Sequence, residues 1–130
     1  MQCPRCKNPM IVLELSEVEI DYCPDCGGIW LDSGELELLL DNPEKSTALM
    51  NLFAEDKNSK EEKLKCPICS KKMKKVLVGE GKQILIDQCK NNHGLWFDKG
   101  ELYDILQLGS IGEDNKVLDL LKDMFQYSNW

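Results

Sequence analysis

Seven cysteines and a single histidine fall in pairs along the 130 residues of the chain. Cys3 and Cys6 form the first pair, Cys23 and Cys26 the second, Cys66 and Cys69 the third, and Cys89 with His93 the fourth. Soft thiolates and an imidazole at such spacings are metal donors. Two groups of four meet the demand of two closed tetrahedral sites, one of four cysteines and one of three cysteines with the histidine, and no donor is left over. Two Zn2+ ions are the expected occupants. Disulfides fit less well, because seven is an odd number and nothing at Met1-Gln2-Cys3 resembles a secretory leader. A thiol-redox pair, or iron electron transfer at Cys3, Cys6, Cys23 and Cys26, is the less favoured alternative, since neither explains four couples at matched spacing.

The donors belong to an internal repeat. The run from Cys23 to Leu36, Cys-Pro-Asp-Cys-Gly-Gly-Ile-Trp-Leu-Asp-Ser-Gly-Glu-Leu, returns from Cys89 to Leu102 with its Gly-x-Trp-x-Asp-x-Gly-Glu-Leu core in register. Where Cys26 stands in the first copy, Asn92 stands in the second, and His93 follows one position later. The donor count is kept although the donor changes. Metal binding explains that, whereas disulfide pairing does not.

The elements that must position these donors can be read around them. Met10 to Leu15 and Val18 to Tyr22 flank Ser16-Glu17 and predict a hairpin that returns the chain to the first Cys pair. Met73 to Val78 and Gln83 to Gln88 predict the matching hairpin, with a longer loop through Gly79 and Gly81. Ile29-Trp30-Leu31 predicts a short third strand or a bend packing on the hairpin. Asp32-Ser33-Gly34-Glu35 and Asp98-Lys99-Gly100-Glu101 have capping-box spacing, with the Asp side chain on the first free helix amides and the Glu reaching back, so helices are expected from Leu36 to Asp41 and from Leu102 to Leu108. A short helix is expected between Glu44 and Ala54, a solvated linker or helix tail from Asp56 to Lys63, and an amphipathic helix from Asp114 to Gln126.

These readings divide the chain into residues 1–42, a ribbon with its helix; 43–65, a helical and charged linker; 66–108, the second ribbon with its helix; and 109–130, a C-terminal helix. Each copy is too short to fold on an apolar core alone, so metal is expected to be part of folding, giving a small α+β metal-dependent fold. Whether the copies share one core the sequence leaves open.

Charge is uneven: the net value is −7, and residues 1–42 alone carry two basic against nine acidic side chains. Such a molecule is a poor non-specific binder of nucleic acid. Lys71, Lys72, Lys74 and Lys75 nevertheless cluster after the third Cys pair and, with Trp96 as a stacking platform, define a candidate nucleic-acid surface. The competing reading buries Trp30 and Trp96 as the large side chains of two miniature cores. No apolar run is long enough to span a membrane. Reduced cysteines without a targeting segment predict a cytoplasmic protein.

The Cys-Pro-x-Cys turn, the hairpin, and the runs Asp21 to Leu36 and Asp87 to Leu102 resemble the transcription-factor-type zinc-ribbon family, grouped with the transcription factor IIB ribbon, in two tandem copies. The resemblance implies a zinc-binding, non-enzymatic module often associated with transcription. Saturated thiolate sites leave no position for catalytic water, so neither an enzyme nor a small-molecule substrate is expected. The partner is expected to be a protein or a second copy of the chain, with nucleic acid as the alternative.

Overall fold

A computed structural model describes residues 1–40, 42–79, 84–109 and 119–121. Strands β1 (Ile11–Leu15) and β2 (Val18–Tyr22) form the first hairpin. Ser16 and Glu17 both take the left-handed conformation, with φ of 48° and 69°. Two left-handed residues in a two-residue loop give the turn whose twist matches the flanking strands. Then come β3 (Ile29–Asp32), α1 (Glu35–Leu40), α2 (Pro43–Met50) and β4 (Phe53–Glu55). The second hairpin, β5 (Lys74–Val78) and β6 (Ile84–Gln88), leads to β7 (Gly94–Phe97) and α3 (Glu101–Gly109).

The strands make one antiparallel sheet in the order β1-β2-β3-β7-β6-β5-β4. Its centre is the pairing of β3 with β7, in which Trp30 lies opposite Trp96, Ile29 opposite Phe97 and Leu31 opposite Leu95. Since the repeat matches Ile29 to Leu95, Trp30 to Trp96 and Leu31 to Phe97, exchanging the copies maps this pairing onto itself, as a two-fold axis between the tryptophans would. Alternation along the two strands sends Ile29, Leu31, Leu95 and Phe97 to one face and the indoles to the other. The first face is covered by α1, α2 and α3 through Leu36, Leu39, Leu49, Leu102, Ile105 and Leu106. The second holds the buried cysteines Cys3, Cys23, Cys66 and Cys89 with Met10, Leu64 and Met73. Both ribbons thus contribute to each core.

Two close approaches explain why glycine precedes each strand's apolar residues. A Cβ on Gly28 would lie 2.2 Å from the Trp96 ring, and one on Gly94 would lie 2.7 Å from the Trp30 ring and 2.2 Å from the Leu31 carbonyl oxygen. Each indole therefore occupies the space left by the other ribbon's missing side chain.

Several expectations are revised. The segment after Asn42 is helical only to Met50. Asn42 caps it, its Oδ1 accepting from the amides of Glu44 at 3.0 Å and Lys45 at 3.1 Å. Phe53 and Ala54, expected in that helix, extend the sheet instead, because the outer edge of β5 offers backbone partners opposite Val78 and Leu77. The Asp of each expected capping box also differs. Asp32 Oδ1 accepts from Trp30 Nε1 at 2.9 Å, and Asp98 Oδ1 from Trp96 Nε1 at 3.1 Å, whereas the reaching-back half is kept: Glu35 and Glu101 accept from the amides of Asp32 and Asp98. A buried indole N–H needs an acceptor more than helix amides open to water do. Of the expected C-terminal helix, residues 119–121 are helical and Leu121 is buried in the core; its remainder, the loop residues 80–83 and Asp41 lie outside the described residues.

Gly28→Ala should cost about 1–3 kcal/mol, the usual range for overpacking, in denaturant unfolding followed by indole fluorescence, with both ribbons lost in one transition. A second expected outcome concerns Glu101, whose carboxyl burial pushes up to about 8, against the Asp98 amide, with Asp98, Asp87 and Glu61 adding repulsion. A raised native value means that the protonated acid favours the fold: its contribution is complete below the ordinary value of 4.5 and is lost as pH rises through about 8. Glu101→Gln keeps an acceptor for the Asp98 amide, and should raise Tm at pH 8 to 9 and raise it less as pH falls toward 6.

Candidate metal centres

Each donor pair sits on a turn, and the backbone closes three of the four in the same way. The amides of Lys7, Gly27 and Ser70 donate to the carbonyls of Cys3, Cys23 and Cys66, four residues back, and all three residues are left-handed, with φ of 66°, 78° and 63°. Glycine is the least strained there, and Lys7 and Ser70 are nonetheless held in it. The fourth turn closes one residue early. Asn92 takes the left-handed conformation, φ 59°, and its amide donates to the Cys89 carbonyl only three residues back. Asn92 thus brings the left-handed step to the position where the other turns have their second cysteine, and the donor falls to the next residue, His93. Asn tolerates that conformation better than most residues. The span to the following strand is unchanged, since Cys89 N donates to Gly94 O as Cys23 N does to Gly28 O.

The turns and hairpins gather Cys3, Cys6, Cys23 and Cys26 in one cluster and Cys66, Cys69, Cys89 and His93 in another, each with its donor atoms within 4.8 Å of one another. Cys3 Sγ lies 3.7 Å from Cys26 Sγ, Cys69 Sγ 3.7 Å from Cys89 Sγ, and Cys89 Sγ 3.4 Å from His93 Nδ1. A disulfide requires about 2.05 Å. A tetrahedral ion with metal–sulfur bonds of about 2.3 Å holds its sulfurs about 3.75 Å apart, so the spacing and the donor chemistry fit zinc. Amide hydrogens point at the sulfurs: Cys6 N donates to Cys3 Sγ at 3.2 Å, Ile68 N to Cys66 Sγ at 3.4 Å, and Asn91 N to Cys89 Sγ at 3.3 Å. Such contacts favour thiolate over thiol. The Lys71 amide pulls Cys69 down to about 6, while burial pushes Cys66 up to about 11. An ion entering the second site must therefore displace protons, more of them as pH falls.

The tryptophans lie between the two clusters, both fully buried. Trp96, a candidate stacking platform, has no exposed surface for a base, and Trp30 and Trp96 fill the space between the metal-binding turns. The candidate lysines separate. Lys71 and Lys72 are exposed and Lys74 is half-buried, but Lys75 is only 3% exposed and pairs with Asp87 at 2.6 Å, so it cannot serve a nucleic-acid surface. Strand alternation places Lys75 on the metal-side face opposite Asp87, where burial raises the carboxyl pKa and Lys75 opposes the rise. The hairpin register contains that signal, because it sets Lys75 directly across from an acid. A second ion pair had no sequence signal. Arg5, from the first ribbon, grips Asp98 of the second by two nitrogens, Nε to Oδ1 at 2.7 Å and Nη2 to Oδ2 at 2.9 Å. Ser33 N likewise donates to His93 O at 3.0 Å across the ribbons.

This sharing sets the expected result of ligand loss. Cys23→Ser, or chelation with EDTA, should abolish the folded signal of both ribbons in one step, seen as loss of dispersed amide resonances from residues 84–97 as well as 11–32.

A model of the family described as transcription factor zinc-finger matches residues 2–42 and 65–108. No curated protein and no solved structure matches the chain. The match covers both repeats and all eight donors, and it extends over more than half of the sequence. The chain belongs to the transcription factor zinc-finger family, as two tandem zinc ribbons.

Proposed function

We propose that the protein is a zinc-stabilised, non-catalytic interaction module, working through contacts with another protein in transcription or a comparable cytoplasmic assembly. Zinc is favoured by the donor set, since four thiolates, or three with an imidazole, suit a borderline-soft ion without geometric preference. Four protein donors per ion leave no position for a reacting water, which argues against catalysis at the metals. Transcription comes from the family description alone, and folds host many functions.

The observation that carries the choice of a protein partner is which groups face solvent. The indoles and Lys75 are withdrawn into the fold, while the first ribbon exposes Ile11 and Val12 beside Glu14 and Glu19. Apolar and acidic surface suits a protein and repels phosphate. No described helix is long and apolar enough to cross a membrane.

Native mass spectrometry with elemental analysis should find two zinc ions per chain. Fluorescence anisotropy at low salt should find no binding to single-stranded DNA or RNA. Iron, or no metal in folded protein, would overturn the zinc assignment. Salt-dependent binding that disappears when Lys71, Lys72 and Lys74 are changed to Glu would replace the protein-partner reading with the nucleic-acid one.

A further inference from the structure

The molecule carries a template for a surface that its described residues leave uncovered. Strand β5 has β4 hydrogen-bonded along its outer edge, with Phe53, Ala54 and Glu55 opposite Val78, Leu77 and Val76. The first-copy counterpart of β5 is β1, as the registers show: Val12 lies opposite Asp21 where Lys75 lies opposite Asp87. β1 ends the sheet, and no described strand pairs with its outer edge. Exposed edges of this kind are templates for another chain.

The charges differ in the same direction. In the second copy Lys75 neutralises Asp87 and Arg5 neutralises Asp98. The exchange that relates the copies places Asp21 and Asp32 at the acidic positions, and Val12 and Ile68 at the positions of the two cations. Val12 is 63% and Ile68 46% exposed. Asp21 is half-buried, with the carboxylates of Asp32 and Glu19 and the Met1 amino group near it. The first copy thus presents an edge that no described strand pairs, exposed apolar side chains at Ile11 and Val12, and carboxylates whose counterparts are paired with cations.

We infer that β1 receives an extended segment of a partner protein, added to the sheet as β4 is added to β5, with lysine or arginine side chains on the face of Glu14 and Asp21 and apolar ones on the face of Ile11. Period-two alternation delivers both kinds of side chain from one strand. Main-chain hydrogen bonds would supply affinity, and the carboxylates would select a basic sequence. The inference rests on the protein-partner reading and names its surface.

The test uses the full-length, zinc-loaded chain, with zinc measured on the same sample, and an eight-residue peptide alternating Lys and Val. Amide resonances of residues 11–15 should shift and gain protection from hydrogen exchange. A peptide with Glu for Lys should bind at least tenfold more weakly. The variant Val12→Lys, which supplies the missing cation beside Asp21 at an exposed position, should weaken the Lys-Val peptide at least tenfold, and Asp21→Asn should weaken it in the same direction. Absence of binding, binding that leaves the β1 amides unchanged, or full affinity in Val12→Lys would overturn the inference. Binding at another surface would spare the broader protein-partner reading, whereas a folded sample without zinc would remove the reading itself. Concentration-dependent dimerisation protecting β1 without peptide would make a second copy the occupant and overturn the assignment to a basic segment.

Discussion

Both ribbons are built around the close approach at the centre of the sheet, where each indole lies over the glycine that opens the other ribbon's third strand. A fragment as short as one ribbon has little core of its own in which to bury an indole. Placing two of them in one layer, between two metal-binding turns and beside the strands that also carry the helix-facing core, makes each ribbon the wall of the other. The carboxylates two residues on, Asp32 and Asp98, take the N–H groups of Trp30 and Trp96, so the apolar burial leaves neither of these two donors unpaired. The helices then follow, because the residues next to the indoles point the opposite way and need a cover.

The sequence is most legible where chemistry limits the choices. Eight donors at fixed spacings name the two clusters, and alternation with turn residues names the hairpins, the third strands and the start of each following helix. It is least legible where long-range partners decide. Phe53 and Ala54 continue a helical pattern locally, and only the unpaired edge of β5, further along the chain, draws them into a strand. Asp32 and Asp98 satisfy a local capping rule, yet the indole two residues earlier takes them from the helix amides. The lysine run looks uniform until the hairpin register divides it, sending Lys75 inward to Asp87 and leaving Lys71 and Lys72 in solvent. The central pairing of β3 with β7 shows in the same way that Trp96 cannot be both a wall of the core and a platform for a base.

The departure from repetition at Asn92 and His93 is a case in which backbone geometry explains a change of ligand. A turn that tightens by one residue cannot present its next side chain at the old position, and a donor one step later restores the set of four. The other departures are electrostatic. Arg5 and Lys75 pair with acids of the second ribbon, and the residues at the matching positions for the first are apolar, so the two halves share a backbone plan while differing in what they offer to solvent.

The self-complementary register of β3 and β7 is one that two separate ribbons could also form, and such a join would depend on concentration. Joining the halves in tandem makes the encounter unimolecular and ends the obligation of identity. One half can then carry an imidazole where the other has a thiol, and basic side chains where the other is acidic. The present asymmetry is what release from symmetry permits.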